Sequence, residues 1–106
     1  MQQELDYGKL GLTIKEVRQS KGLTQEMLAE IVGCNTSHIS NIENNHTKVS
    51  LNVLLSIANA LDTSIDYLLT DQYNDPTLAL DNEISRVLST FDIEWKQRIL
   101  RILNAI

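Results

Sequence analysis

TQEMLAEIVGCNTSHISNIEN, residues 24–44, reads as two short helices broken by a glycine. Thr24 is placed to cap the first of them, with Glu26 in its first turn and Met27, Leu28 and Ile31 on an apolar side. Gly33 falls where the chain must turn, and a left-handed conformation there costs a residue carrying a Cβ about 1–2 kcal/mol. Asn35 is placed to cap the second helix, whose inner face carries Ile39 and Ile42 while Ser37, His38, Asn41 and Asn44 face outward. The spacing is that of a helix-turn-helix. A helix apolar behind and polar in front is what a DNA major groove accepts.

Outward from this stretch the chain reads as more helices with short connections. A helix is expected from about Lys9 to Lys21, with Ile14 and Val17 inward and Gly22 just past its end. Asn44 to Val49 is a polar loop. Ser50 then caps a helix with Leu51, Leu54, Leu55, Ala58 and Leu61 at core spacing, and Ser64 caps a short one through Ile65, Tyr67, Leu68 and Leu69. No run alternates at period two for long enough to make a strand, so the expected class is all-α.

Taken in order, these segments resemble the helix-turn-helix domain of the Cro and phage-repressor type, often called XRE-like, over roughly Leu10 to Leu69. IKEVRQSKGLTQ (14–25) is similar to that family's first helix and approach to the second, LAEIVG (28–33) to its helix and turn, ISNIE (39–43) to its recognition helix, and SLNVLLSIANALDTSIDYLL (50–69) to its two closing helices. The resemblance implies a five-helix phage-repressor-like domain with double-stranded DNA as partner. It implies base contacts at Thr36, Ser37 and Asn41, of which Asn41 is the sharpest because an amide pairs twice with adenine N6 and N7. It implies backbone contacts at Gln25, Asn35, His38, Asn44, Thr47 and Lys48, and a structural salt bridge between Arg18 and Glu43. Three positions depart from the family's pattern: Asn45 and Asp62 stand where glycine is common, and Val49 where proline often stands. Asn and Asp tolerate the left-handed conformation best among residues with a Cβ, so both turns are expected to keep their geometry.

Composition sets the bounds. A chain of 106 residues supports one compact core and a short appendage. No segment approaches a membrane span and the polar start MQQELDYGK lacks a signal-peptide core, so a cytoplasmic location is expected. Cys34 is the sole cysteine, which excludes an internal disulfide or a cysteine-based zinc site; packing in the turn is its expected role, with a redox switch the alternative. No metal, cofactor or small-molecule site is evident, and no catalytic arrangement stands out, so an enzyme is not expected. The net charge is −5, and residues 1–70 carry five basic against eight acidic groups. The surplus weighs against strong DNA attraction, although Gly33 to Ser50 holds only Lys48, Glu43 and two histidines.

The organisation expected is a DNA-binding domain over 1–70, a linker at 71–76 and a C-terminal helical hairpin over 77–106. Asp75 and Pro76 suit the start of the first tail helix, which would carry Leu80, Ile84, Val87, Leu88 and Phe91 on one side. Asp92 suits the cap of the last, with Ile99, Ile102, Leu103 and Ile106 as an apolar stripe and Lys96, Arg98 and Arg101 outward. That stripe is the expected homodimer contact, with docking back onto its own subunit the alternative. The leading functional expectation is a transcriptional regulator, a repressor binding a palindromic operator as a homodimer. The rival is a protein-interaction module, antitoxin-like or a partner of another regulator, with weak DNA binding.

Overall fold

The computed structural model describes residues 3–74, 77–89 and 93–105, with side chains described there outside 77–81, 93–96 and 105. Every regular element among them is helical: α1 Tyr7–Ser20, α2 Gln25–Val32, α3 Thr36–Glu43, α4 Leu51–Ala60, α5 Ile65–Leu68, a 3₁₀ turn Thr70–Gln72, α6 Thr77–Leu88 and α7 Ile93–Ala105. Local chemistry sets most boundaries. The side chains of Thr24, Ser50 and Ser64 accept hydrogen bonds from the N–H groups of Met27, Val53 and Tyr67, which caps α2, α4 and α5 at the expected residues. Helix α1 starts two residues before the expected Lys9, because Asp6 accepts from the Lys9 N–H at 3.0 Å and so caps it. Gly33 ends α2 with φ 83°, and the same left-handed conformation occurs at Asn45 (φ 61°) and Asp62 (φ 52°).

The core consists of Leu10, Ile14, Leu28, Ala29, Ile39, Ile42, Val49, Leu54, Ile57, Ala58, Leu61 and Leu68, with Val17, Leu23, Cys34 and Ile65 packed partly against it. Among the described residues it lies wholly within 10–68. The expected inward positions are corrected at four places: Met27, Ile31, Leu51 and Leu55 are exposed. Leu28 and Ala29 fix the buried side of α2, and Met27 lies about 150° around the helix from the midpoint of that pair, off that side. In α4 the buried stripe is Leu54, Ile57 and Ala58, which leaves Leu51 and Leu55 on a flank. Gly11 marks a close approach of two backbones. A Cβ there would stand 2.3 Å from the Ile42 carbonyl oxygen and 2.9 Å from that of Glu43, so α1 crosses the end of α3 backbone to backbone.

Residues 70–72, at the expected domain boundary, are tied to the N-terminus. The Gln72 amide donates to the Asp6 carbonyl at 2.8 Å and accepts from the Asp6 N–H at 2.8 Å. Beyond them, the described side chains of α6 that bond to the five-helix unit are polar. Asn82 donates to Asp66 at 2.7 Å, Tyr73 donates to the other oxygen of Asp66, and Arg86 donates to the Asp62 carbonyl at 2.8 Å while pairing with Glu83 at 2.9 Å. The apolar residues Ile84 and Val87 stay exposed and Leu88 half-buried, the reverse of a face turned to the core. In α7 Ile99 is half-buried while Leu100, Ile102 and Leu103 are exposed, and so are Arg98 and Arg101. Asp75, Pro76, Phe91, Asp92 and Ile106 lie outside the described residues, as do the side chains of Leu80 and Lys96.

Candidate nucleic-acid interface

Helix α3 is anchored by Ile39 and Ile42, 0% and 2% exposed, and this fixes which residues it offers outward. Thr36 and Ser37 are exposed on its first turn, His38 and Asn41 are half-buried, and Asn44 is exposed just past its end. The Asn44 amide donates to the Ser40 hydroxyl at 3.2 Å. Asn41 also organises the following loop, because its carbonyl accepts from the N–H groups of His46 at 2.8 Å and Thr47 at 3.3 Å. Asn35 occupies the N-cap position with extended backbone (φ −76°, ψ 148°), but its side chain makes no capping hydrogen bond. It differs in this from Asp6, Thr24, Ser50 and Ser64.

Gln25 is the first residue of α2 and half-buried. Its Nε2 donates to Glu43 Oε1 at 3.0 Å, so part of its amide is engaged inside the protein. Glu43 also receives Arg18, whose Nε donates to Oε2 at 2.6 Å and Nη2 to Oε1 at 3.0 Å. Both side chains are buried, 8% and 0% exposed, and Arg18 Nη1 completes the set by donating to the Leu23 carbonyl at 2.7 Å. Removing one partner of such a pair leaves an uncompensated buried charge, which typically costs about 3–5 kcal/mol. The pair has an electrostatic consequence for the surface as well. With Glu43 neutralised by Arg18, Lys48 is the full charge that Gly33 to Ser50 turns outward.

Lys48 itself is held. Its Nζ stands 5.5 Å from the centroid of the Tyr7 ring, a cation–π distance that contributes about 0.5–1 kcal/mol at an exposed site. It also lines a cleft with Glu4, Asp6, Tyr7, Gly8 and Asn45, so two carboxylates temper its field. In the turn between α2 and α3, burial pushes the Cys34 thiol up from its ordinary value, which disfavours the reactive thiolate and fits a packing role. Among the described residues, no three His, Cys, Asp or Glu side chains gather as a metal site, and no helix is long and apolar enough to cross a membrane.

The structure therefore gathers Thr36, Ser37, Asn41 and Asn44 on and just past one helix, and joins Gln25 to Arg18 and Glu43. Sequence reasoning missed Tyr7 beneath Lys48 and the Gln25–Glu43 bond. Neither has a local signal, since their partners lie 41 and 18 positions away. The start of α1 did have one: an Asp three residues before the N–H it caps.

Residues 14–68 match the helix-turn-helix family HTH_3. The chain is 38% identical over 63 residues to control protein C.SmaI of Serratia marcescens, covering 59% of this chain and 75% of that protein. It is 33% identical over 87 residues to antitoxin HipB of Escherichia coli, covering 82% of each. Of three further matched regulators it spans 16%, 13% and 47%. Among solved structures it is similar to SinR, a master regulator for biofilm formation, in complex with DNA, with a TM-score of 0.54 and 36% identity over 57% of this chain and 97% of that one.

Proposed function

The chain belongs to the HTH_3 helix-turn-helix family, and from that premise we propose that it is a sequence-specific DNA-binding transcriptional regulator, a repressor that holds a palindromic operator as a homodimer. The observation that carries this reading is the two-sided α3: Ile39 and Ile42 root it in the core while Thr36, Ser37 and Asn41 leave polar groups toward solvent. Likeness to a DNA-bound structure supports it. In this reading α3 lies in the major groove, Asn41 pairs with a base edge, and Thr36 and Ser37 contact neighbouring bases. Gln25, Asn35, His38, Asn44, Thr47 and Lys48 meet the sugar-phosphate backbone and fix the register. Because those groups are mostly neutral, few counterions are released, and affinity falls gently with salt. The homodimer forms through the stripe of Ile99, Ile102 and Leu103 on α7, continued in sequence by Ile106.

Two observations favour a second reading. The match to an antitoxin runs over 82% of both chains, and the net charge is −5. An interaction module that binds another protein, with weak DNA contact, fits those two facts. Selecting bound fragments from random duplex DNA at stated salt separates the readings. A regulator enriches one inverted-repeat sequence; recovery of random sequence with no shared motif overturns that reading in favour of the interaction module.

A further inference from the structure

We infer that Glu43 is a positioning residue for DNA binding: it holds the Gln25 carboxamide in one orientation, with the amide's second N–H presented outward at the start of α2 toward a phosphate. The inference rests on the regulator reading above and adds to it a residue that touches no DNA. A carboxylate only accepts hydrogen bonds, so Glu43 Oε1, 3.0 Å from Gln25 Nε2, fixes which end of the amide faces inward. The two N–H bonds of one amide diverge, so the one not used by Glu43 points away from it. Glu43 is itself immobilised by two bonds from Arg18, at 2.6 and 3.0 Å, and its side chain is 0% exposed. Arg18 also donates to Leu23, one residue before the Thr24 cap, so one guanidinium sets both the carboxylate and the approach to α2.

Two physical consequences favour phosphate capture. Glutamine has several rotatable bonds, and ordering a free one on binding costs entropy that a pre-fixed side chain does not lose. The negative charge of Glu43 would oppose a phosphate nearby, but Arg18 neutralises it in a bidentate pair, leaving Glu43 able to orient Gln25 without repelling the ligand.

The test is a double-mutant cycle on duplex affinity with the full chain. Wild type, Glu43→Gln, Gln25→Ala and the double variant are compared on the duplex selected by wild type, at fixed salt and at a temperature where circular dichroism finds all four folded. Each single variant is expected to bind about fivefold to tenfold more weakly. The double variant is expected to be no weaker than Gln25→Ala, because Glu43 acts through Gln25. Losses that multiply overturn the inference while leaving the regulator reading intact; a wild type that holds no duplex overturns both. Should Glu43→Gln fail to fold, the side-chain amide protons of Gln25 in wild type decide by NMR. One is expected to be shifted and slow to exchange in the free protein, and the other to move when duplex is added. Two unperturbed protons in the free protein overturn the inference.

Discussion

Asn41 carries the sharpest expectation at the scale of single residues. Its carbonyl holds the turn after α3 through His46 and Thr47, while its amide is the group proposed to read a base. Asn41→Ala keeps the backbone bonds and removes the amide, so specific binding is expected to weaken by about 1–3 kcal/mol with random-duplex binding nearly unchanged. Competition titrations against both duplexes check this; equal losses sink the base-reading role. Gly11 gives a prediction of opposite logic. Alanine is the better helix former by about 1 kcal/mol, yet its Cβ would stand 2.3 Å from the Ile42 carbonyl. Because the obstacle is backbone, overpacking wins, and Gly11→Ala is expected to lower stability by about 1–3 kcal/mol. Urea unfolding measures it, and a stabilised variant contradicts the close crossing of α1 and α3. The sequence marks Gly33, which ends a helix, but not Gly11, which sits inside one and is spaced like any neutral helix residue.

At the scale of elements, what could be read in the sequence was what is local. Thr24, Ser50 and Ser64 cap the helices they precede, and Asn45 and Asp62 take the left-handed conformation where glycine is usual, because each device acts within a turn of itself. Burial was read less well. Met27, Ile31, Leu51 and Leu55 fit an apolar stripe by spacing, but the stripe is narrower than their hydrophobicity implies, and only packing partners set its width. Asn35 has the right residue type for a cap, yet its side chain makes no capping hydrogen bond. The described contacts of α6 were also illegible, since they are polar pairs distant in sequence. Hydrogen bonds from Asn82 and then Tyr73 hold the Asp66 carboxyl below its usual value. A depressed carboxylate contributes stability above its unfolded pKa, about 3.9, and loses it as pH falls through the folded value. The contact of α6 with α5 is therefore expected to loosen below about pH 4, with the Asn82 side-chain amide shifting in step. Asp66→Asn should flatten that titration, and an unchanged Asn82 signal through the acid range refutes the contact.

For the whole molecule, the distribution of the core matters most. Among the described residues all those of the core lie between Leu10 and Leu68, and the radius of gyration is 15.8 Å, above the roughly 13 Å of a compact chain of this length. Deleting residues 92–106 is accordingly expected to leave the five-helix unit folded and to give a monomer. That monomer should hold a half-site weakly, losing a factor of about 10² or more in affinity that linking two contacts supplies. Sedimentation of the intact and shortened chains checks the oligomer: an intact chain that is monomeric at micromolar concentration rules out the α7 interface, and an unfolded truncation assigns the tail to its own subunit. The docking of α6, polar in its described contacts and with Ile84 and Val87 exposed, bears on a different property, the susceptibility of the chain to proteases. Segments with few buried apolar contacts open locally without global unfolding, and cleavage follows the population of the open form. The tail should thus be nicked long before the core, and any second subunit that covers it should slow the nicking as concentration rises, making the rate of tail cleavage a direct gauge of assembly.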